Sequence, residues 1–128
     1  MNALNRCALV VDDEAVIAEL WCAYLDMMGL EVCGVAATGA DAIALAKQHR
    51  PAIVLMDMRL RGKMDGVEAA LAIHGDVGSK MIFITASTES ETLARIALDH
   101  PAAVLIKPVP EHLLMKTIDA VLTEDGAS

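Results

Sequence analysis

Residues 7–14 read Cys-Ala-Leu-Val-Val-Asp-Asp-Glu, an apolar run that stops abruptly on paired carboxylates. The run is too short for a helix of ordinary length, and its Val-Val end favours a strand. It does not alternate apolar with polar residues, so both of its faces are expected to be covered, as in a parallel sheet. The same pattern recurs along the chain. Val32–Ala37, Ile53–Met56, Met81–Ile84 and Val104–Ile106 are also short apolar runs, and the last three stop on Asp57, Thr85 and Lys107.

The segments between these runs carry helical spacing. Ile17, Leu20, Tyr24 and Met28 form one stripe, which Gly29 ends. Thr38 can cap a helix carrying Ile43 and Ala46. Val67, Ala70, Leu71 and His74 mark a third helix, and Leu93, Ile96 and Ala97 a short fourth with Pro101 beyond its end. Leu114, Ile118 and Val121 mark the last, and Thr123–Ser128 reads as a loose tail. Repeated strand–helix alternation predicts an α/β fold, a doubly wound five-stranded parallel sheet with helices on both faces. No linker or low-complexity segment divides the chain. The expectation is one domain over residues 1–128, with its core at about 6–122 and no output domain.

Composition narrows the function. At 128 residues and 55% hydrophobic content the chain can bury a core without staples and is not disordered. Ten basic residues stand against 18 acidic ones, a net charge of -8, which excludes a free-standing nucleic-acid surface. Trp21, Tyr24 and Phe83 are the only aromatics, too few for a base-stacking platform. The longest apolar run, Leu20–Leu25, is far short of the roughly 20 residues that span a bilayer. No secretory signal core is present, so a soluble, cytoplasmic protein is expected. Cys7, Cys22 and Cys33 then read as small buried hydrophobes in a reducing compartment. Met27, Met28, Met56, Met58, Met64, Met81 and Met115 read mostly as core filler, and His49, His74, His100 and His112 lack ligand spacing.

The placement of polar residues is more informative. Ligands of open parallel sheets bind at the carboxyl ends of the strands, where strand order reverses. Asp12, Asp13, Asp57, Thr85 and Lys107 all fall on that edge. Singly, each has an ordinary reading: helix caps for Asp12 and Asp13, a turn for Asp57, a strand end for Thr85, a solvated loop for Lys107. Together they describe a carboxylate cluster with a hydroxyl and an ammonium. Close carboxylates repel and call for a cation. An all-oxygen set favours a hard ion, Mg²⁺ with Mn²⁺ as a substitute, and the lack of His or Cys disfavours zinc. A carboxylate can also act as a nucleophile toward phosphorus, helped by cationic and hydrogen-bonding groups around the phosphoryl oxygens.

Val10-Val11-Asp12-Asp13-Glu14, Leu55-Met56-Asp57-Met58, Asp65-Gly66, Ile84-Thr85-Ala86 and Lys107-Pro108 together resemble a response-regulator receiver domain of two-component signalling, of the stand-alone type. The resemblance spans roughly residues 6–122 and implies a flavodoxin-like (βα)5 fold with strand order 2-1-3-4-5. It implies that Asp57 accepts a phosphoryl group from a phosphohistidine on a histidine kinase or a histidine phosphotransfer protein. Asp13 and Asp57 would hold Mg²⁺, with Asp12 acting mainly through water and the Arg59 backbone carbonyl as a further ligand. Thr85 and the Ala86 N–H would bind the phosphoryl group, Lys107 would pair with Asp57 or its phosphate, and the Lys107–Pro108 peptide would be cis. Output would be protein–protein contact with a downstream target or onward phosphotransfer, and a homodimer would form through the face of helix four, strand five and helix five. On this reading the chain is a switch with autocatalytic phosphoryl acceptance and slow dephosphorylation, not a turnover enzyme.

Two positions depart from the family pattern. Val104 stands where an aromatic switch residue is usual, which reassigns the relay in the switch region to the loop after Thr85 and the fourth helix; Val104 itself reads as a packed strand residue. The loop after Asp57 is one residue longer than the common form, has Arg61 in place of proline, and carries Arg59, Arg61 and Lys63. Those charges read either as a solvated loop or as steering for a phosphorylated partner. Three rival functions are weaker. A small Mg²⁺-dependent phosphatase or phosphotransferase would carry an acid where Arg59 stands. A flavin or nucleotide module would carry a Gly-rich loop after strand one. A phosphorylation-independent pseudo-receiver would not need Asp57, Thr85 and Lys107 intact.

Overall fold

The computed structural model describes residues 4–127, with side chains as far as residue 123. Strands and helices alternate in the order β1 (Asn5–Val11), α1 (Ala15–Met27), β2 (Glu31–Ala36), α2 (Gly39–His49), β3 (Pro51–Asp57), α3 (Gly66–Asp76), β4 (Lys80–Thr85), α4 (Ser90–Ala97), β5 (Ala103–Ile106) and α5 (Glu111–Ala127). The strands form one parallel sheet in the order β2-β1-β3-β4-β5. The chain leaves β1 toward one edge and returns on its other side to build β3, β4 and β5. The order therefore reverses between β1 and β3.

The absence of alternation in the central strands has a direct cause. Ala8 and Val10, Ile53 and Leu55, and Ile82 and Ile84 point to one face, where α1 and α5 cover them with Trp21, Leu25, Leu114, Ile118 and Val121. Leu9 and Val11, Val54 and Met56, and Met81 and Phe83 point to the other, beneath α2, α3 and α4. Both faces of the central stretches of β1, β3 and β4 are dry, so Cys7–Val11, Ile53–Met56 and Met81–Ile84 are apolar at every position. The edge strands differ from expectation: β2 and β5 are only partly covered. Val104 is 38% exposed and is a surface residue rather than a packed one.

Local chemistry sets several helix ends. Thr38 caps α2 by accepting a hydrogen bond from the Asp41 N–H at 3.1 Å. Asp65 and Glu68 form a reciprocal capping box on α3. Gly29, at φ +76°, turns the chain out of α1 where a side chain would be strained. The stripe expected on α1 holds in part: Ile17, Tyr24 and Met28 pack half-buried against the core, but Ala18, Trp21 and Leu25 form its buried centre and Leu20 is 43% exposed. On α3 the buried face is Val67, Ala69, Ala70 and Ile73, with Leu71 45% exposed. Ala97 on α4 is exposed, as is Met27 on α1. The expected tail at Thr123–Ser128 is helical through Ala127, because α5 continues over it; Ser128 lies outside the described residues. All three cysteines are free thiols, Cys7 buried and the other two half-buried. Burial pushes the Cys33 thiol up to about 12, and its Sγ donates to the Ala8 carbonyl at 3.4 Å. No helix among the described residues is long and apolar enough to cross a membrane.

Candidate functional site

Sheet register delivers the polar residues to one place. Val11 pairs with Met56, so Asp12 leaves β1 beside Asp57 at the end of β3. Thr85 ends β4 one residue beyond the Asp57–Ile84 pair, and it pairs with Ile106. Lys107 follows, its N–H donating to the Thr85 carbonyl at 2.8 Å. Four strand ends thus present their side chains side by side, at the edge where strand order reverses.

Asp12, Asp13 and Asp57 each offer a carboxylate oxygen within 4.8 Å of the others. Asp12 and Asp57 are buried and Asp13 is half-exposed. Lys107 reaches across from β5 and places Nζ 3.5 Å from Asp12 Oδ2 and 3.6 Å from Asp57 Oδ1. Trp21 supports that ammonium from below, with its ring centre 5.5 Å from Nζ. One lysine does not offset three carboxylates. Burial pushes the Asp57 carboxyl up, Asp12 and Asp13 add repulsion, and the opposing pull of Lys107 and the Arg59 N–H leaves it at about 6. The capping reading of the Asp pair holds only in part: Asp12 Oδ1 accepts from the Glu14 N–H at 2.9 Å, while α1 begins without a side-chain cap.

A cleft of about 1020 Å³ opens over the cluster. Asp13, Asp57, Thr85, Ala86 and Lys107 line its floor side, and Arg59 and Lys63 of the β3–α3 loop belong to its wall. Gly66 lies against the backbone of the phosphoacceptor candidate, so closely that a Cβ there would sit 2.2 Å from the Asp57 carbonyl oxygen. Its N–H donates to the Met58 carbonyl at 2.8 Å. The loop is also pinned outward, through the Arg61 N–H to the Ala37 carbonyl at 3.0 Å. The Lys107–Pro108 peptide is cis.

The cluster fits a small hard cation: its donors are carboxylate oxygens, and its negative charge exceeds what Lys107 compensates. Two features go beyond the sequence reading, which points to the loop after Thr85 without its bonds and does not single out Arg95. Thr85 Oγ1 accepts from the Ser87 N–H at 3.2 Å, and Ser87 Oγ accepts from the Glu89 N–H at 3.2 Å, a ladder from the pocket to the start of α4. Arg95 on α4 grips Asp65. Asp65 and Glu68 carried the capping-box spacing that could have revealed the cap, whereas Arg95 carried no local signal.

Comparison with known proteins gives a consistent result. The family model for the response regulator receiver domain matches residues 8–119. Protein PilH of Pseudomonas aeruginosa is 34% identical over 117 residues, covering 89% of this chain and 95% of PilH. The transcriptional regulatory protein PdtaR of Mycobacterium tuberculosis is 29% identical over 121 residues, which cover 94% of this chain. The match spans 58% of PdtaR's length. Among solved structures, the CheY-like response regulator receiver domain protein of Methanospirillum hungatei superposes with a TM-score of 0.88 at 27% identity, covering 98% of each chain. The signal receiver domain of a modulated diguanylate cyclase from Desulfovibrio desulfuricans gives 0.87 at 32% identity, covering 94% of this chain and 95% of that one.

Proposed function

The chain belongs to the response regulator receiver domain family, and from that premise we propose that it is a phosphorylatable signalling switch whose acceptor is Asp57. The observation that carries this reading is the meeting of Asp12, Asp13 and Asp57 with Lys107 bridging two of them. An Asp57 carboxylate oxygen attacks the phosphorus of a phosphohistidine, the N–P bond breaks, and the imidazole leaves with its electron pair and takes up a proton. The product is an acyl phosphate on Asp57.

Asp13, Asp57 and the Arg59 carbonyl would hold Mg²⁺, with Asp12 acting through water. When bound, the ion neutralises charge on the phosphoryl oxygens. The remaining work falls to the chain. Lys107 pairs with the acceptor before transfer and with phosphoryl oxygen after it. The Thr85 hydroxyl and the Ala86 N–H donate to the other oxygens. Positioning and electrostatics of this kind account for most of the catalysis in phosphoryl transfer. Val104, small and on the surface, has no aromatic ring to turn inward, so the Thr85–Ser87–Glu89 ladder is the relay we assign to the switch. The unit acts as a cytoplasmic receiver for a histidine kinase or phosphotransfer protein, and it signals through protein contact or onward phosphotransfer, with the face of α4, β5 and α5 as the surface for a target or a second copy.

The test is intact mass after incubation with Mg²⁺ and acetyl phosphate, with Asp57→Ala as control. One added phosphoryl group on the wild type and none on the variant is expected. An unmodified wild type, with a kinase as donor as well, would sink the reading.

A further inference from the structure

Helix α4 is weakly anchored by its own sequence. It has only 8 residues, lacks a side-chain cap, and buries one residue, Ile96, with Leu93 half-buried beside it. A helix so short is marginal alone. Polar ties to α3 hold it in place. Arg95 Nε donates to Asp65 Oδ2 at 2.9 Å and Nη2 donates to Asp65 Oδ1 at 3.3 Å, with Glu68 Oε1 3.7 Å away. This fork is a two-point, charge-assisted contact. Just past the other end of α4, Asp99 meets His74 of α3 at 3.2 Å.

Asp65 is not an ordinary surface acid. It caps α3, and its neighbour Gly66 bonds the Met58 carbonyl and packs against the Asp57 backbone too closely for any side chain. Asp65 and Thr92 of α4 both belong to the wall of the cleft. A continuous path therefore runs from Arg95 through Asp65 and Gly66 to the Asp57–Arg59 backbone. Partial burial raises the Asp65 carboxyl, but the Arg95 and Glu68 hydrogen bonds outweigh it and hold the group below the usual carboxylate range.

We propose that Arg95 is a positioning residue: by gripping the α3 cap Asp65, it fixes the Asp57–Arg59 backbone and sets how tightly the carboxylate cluster takes a divalent cation. The inference rests on the pocket being a Mg²⁺ and phosphoryl site. It adds a remote determinant of that site's affinity, and by reciprocity a bound cation steadies α4. The fork is partly solvent-exposed, so its contribution to global stability is small and its effect is geometric.

Two variants separate geometry from bare charge. Arg95→Ala removes a positive charge, and Asp65→Asn removes a negative one while keeping a competent cap. Loss of the clasp weakens Mg²⁺ binding in both, by about five-fold on the scale of coupled sites. A long-range charge effect alone would strengthen binding in Arg95→Ala and weaken it in Asp65→Asn. The measurement is isothermal titration calorimetry with Mg²⁺ as the only ligand, with thermal melts to verify folding and Arg95→Lys as a partial rescue. Hydrogen exchange of residues 90–97 and 58–66 should quicken in both cation-free variants. Affinities that move in opposite directions, or stay at the wild-type value, overturn the clasp and leave the receiver reading standing. A wild type that binds no Mg²⁺ overturns the pocket reading, and the clasp with it. Should Arg95→Ala fail to fold, Asp65→Asn and Arg95→Lys decide the question.

Discussion

Asp57 ends a buried strand with Asp12 and Asp13 beside it and Lys107 as its nearest cation. Its carboxyl is raised from 3.8 to about 6, chiefly by burial. Between those values the folded protein holds a proton that the unfolded chain has released, so stability falls as pH rises through that window. The penalty is complete above pH 6. Asp57→Asn imitates the protonated form and should stabilise the cation-free protein at pH 7.5 by at least about 1 kcal/mol, roughly 4 °C in melting temperature. The advantage should vanish near pH 4. Melting curves of both proteins in chelator across pH 4–8 check this, and a variant that melts below the wild type at pH 7.5 would contradict it. The acids were legible in sequence because each directly follows an apolar run, and strand ends converge in a parallel sheet. Arg95 was not, since its partner lies 30 residues away and only packing joins them.

Helices show the same division between local and tertiary information. The start of α2 was legible because Thr38 satisfies a free N–H of the first turn. Thr38→Ala should cost about 1 kcal/mol. A urea midpoint shift with an unchanged slope would report it, and no shift would show that the β-bridge of Thr38 to Arg61 alone holds this corner. The face of α5 was also legible: Leu114, Ile118 and Val121 are all buried. The face of α1 was legible only at its edge, where Ile17, Tyr24 and Met28 pack half-buried on the core. Leu20, Val16 and Met27 form an outward apolar row, so periodicity offered two stripes, and the core accepted the one bearing Trp21 and small Ala18. On α3, Ala69, Ala70 and Ile73 lie inward because closely packed small residues let the helix approach the sheet, while bulkier Leu71 is left outside. The edge strands β2 and β5 looked like the central ones because apolar content alone does not record whether a strand has a second neighbour.

At the scale of the molecule, acidity and stability are linked through the pocket. The chain carries a net charge of -8, and the most crowded part of that charge is the Asp12, Asp13 and Asp57 cluster. A cation that binds only the folded state stabilises it by mass action, about 1.4 kcal/mol at ten times its dissociation constant. Mg²⁺ should therefore raise the melting temperature by roughly 5 °C at that concentration. Asp13→Asn should remove most of the gain, and an equal gain in that variant would place the ion elsewhere. The two cores divide along the sheet, and only one of them contains Trp21. That residue is the sole tryptophan of the chain, and it lies beneath the ammonium that the proposed function assigns to the phosphoryl group. The protein would thus carry its own lamp: on the proposed reading, an anion that draws Lys107 off the indole should change the emission of Trp21, so phosphorylation could be followed without a label.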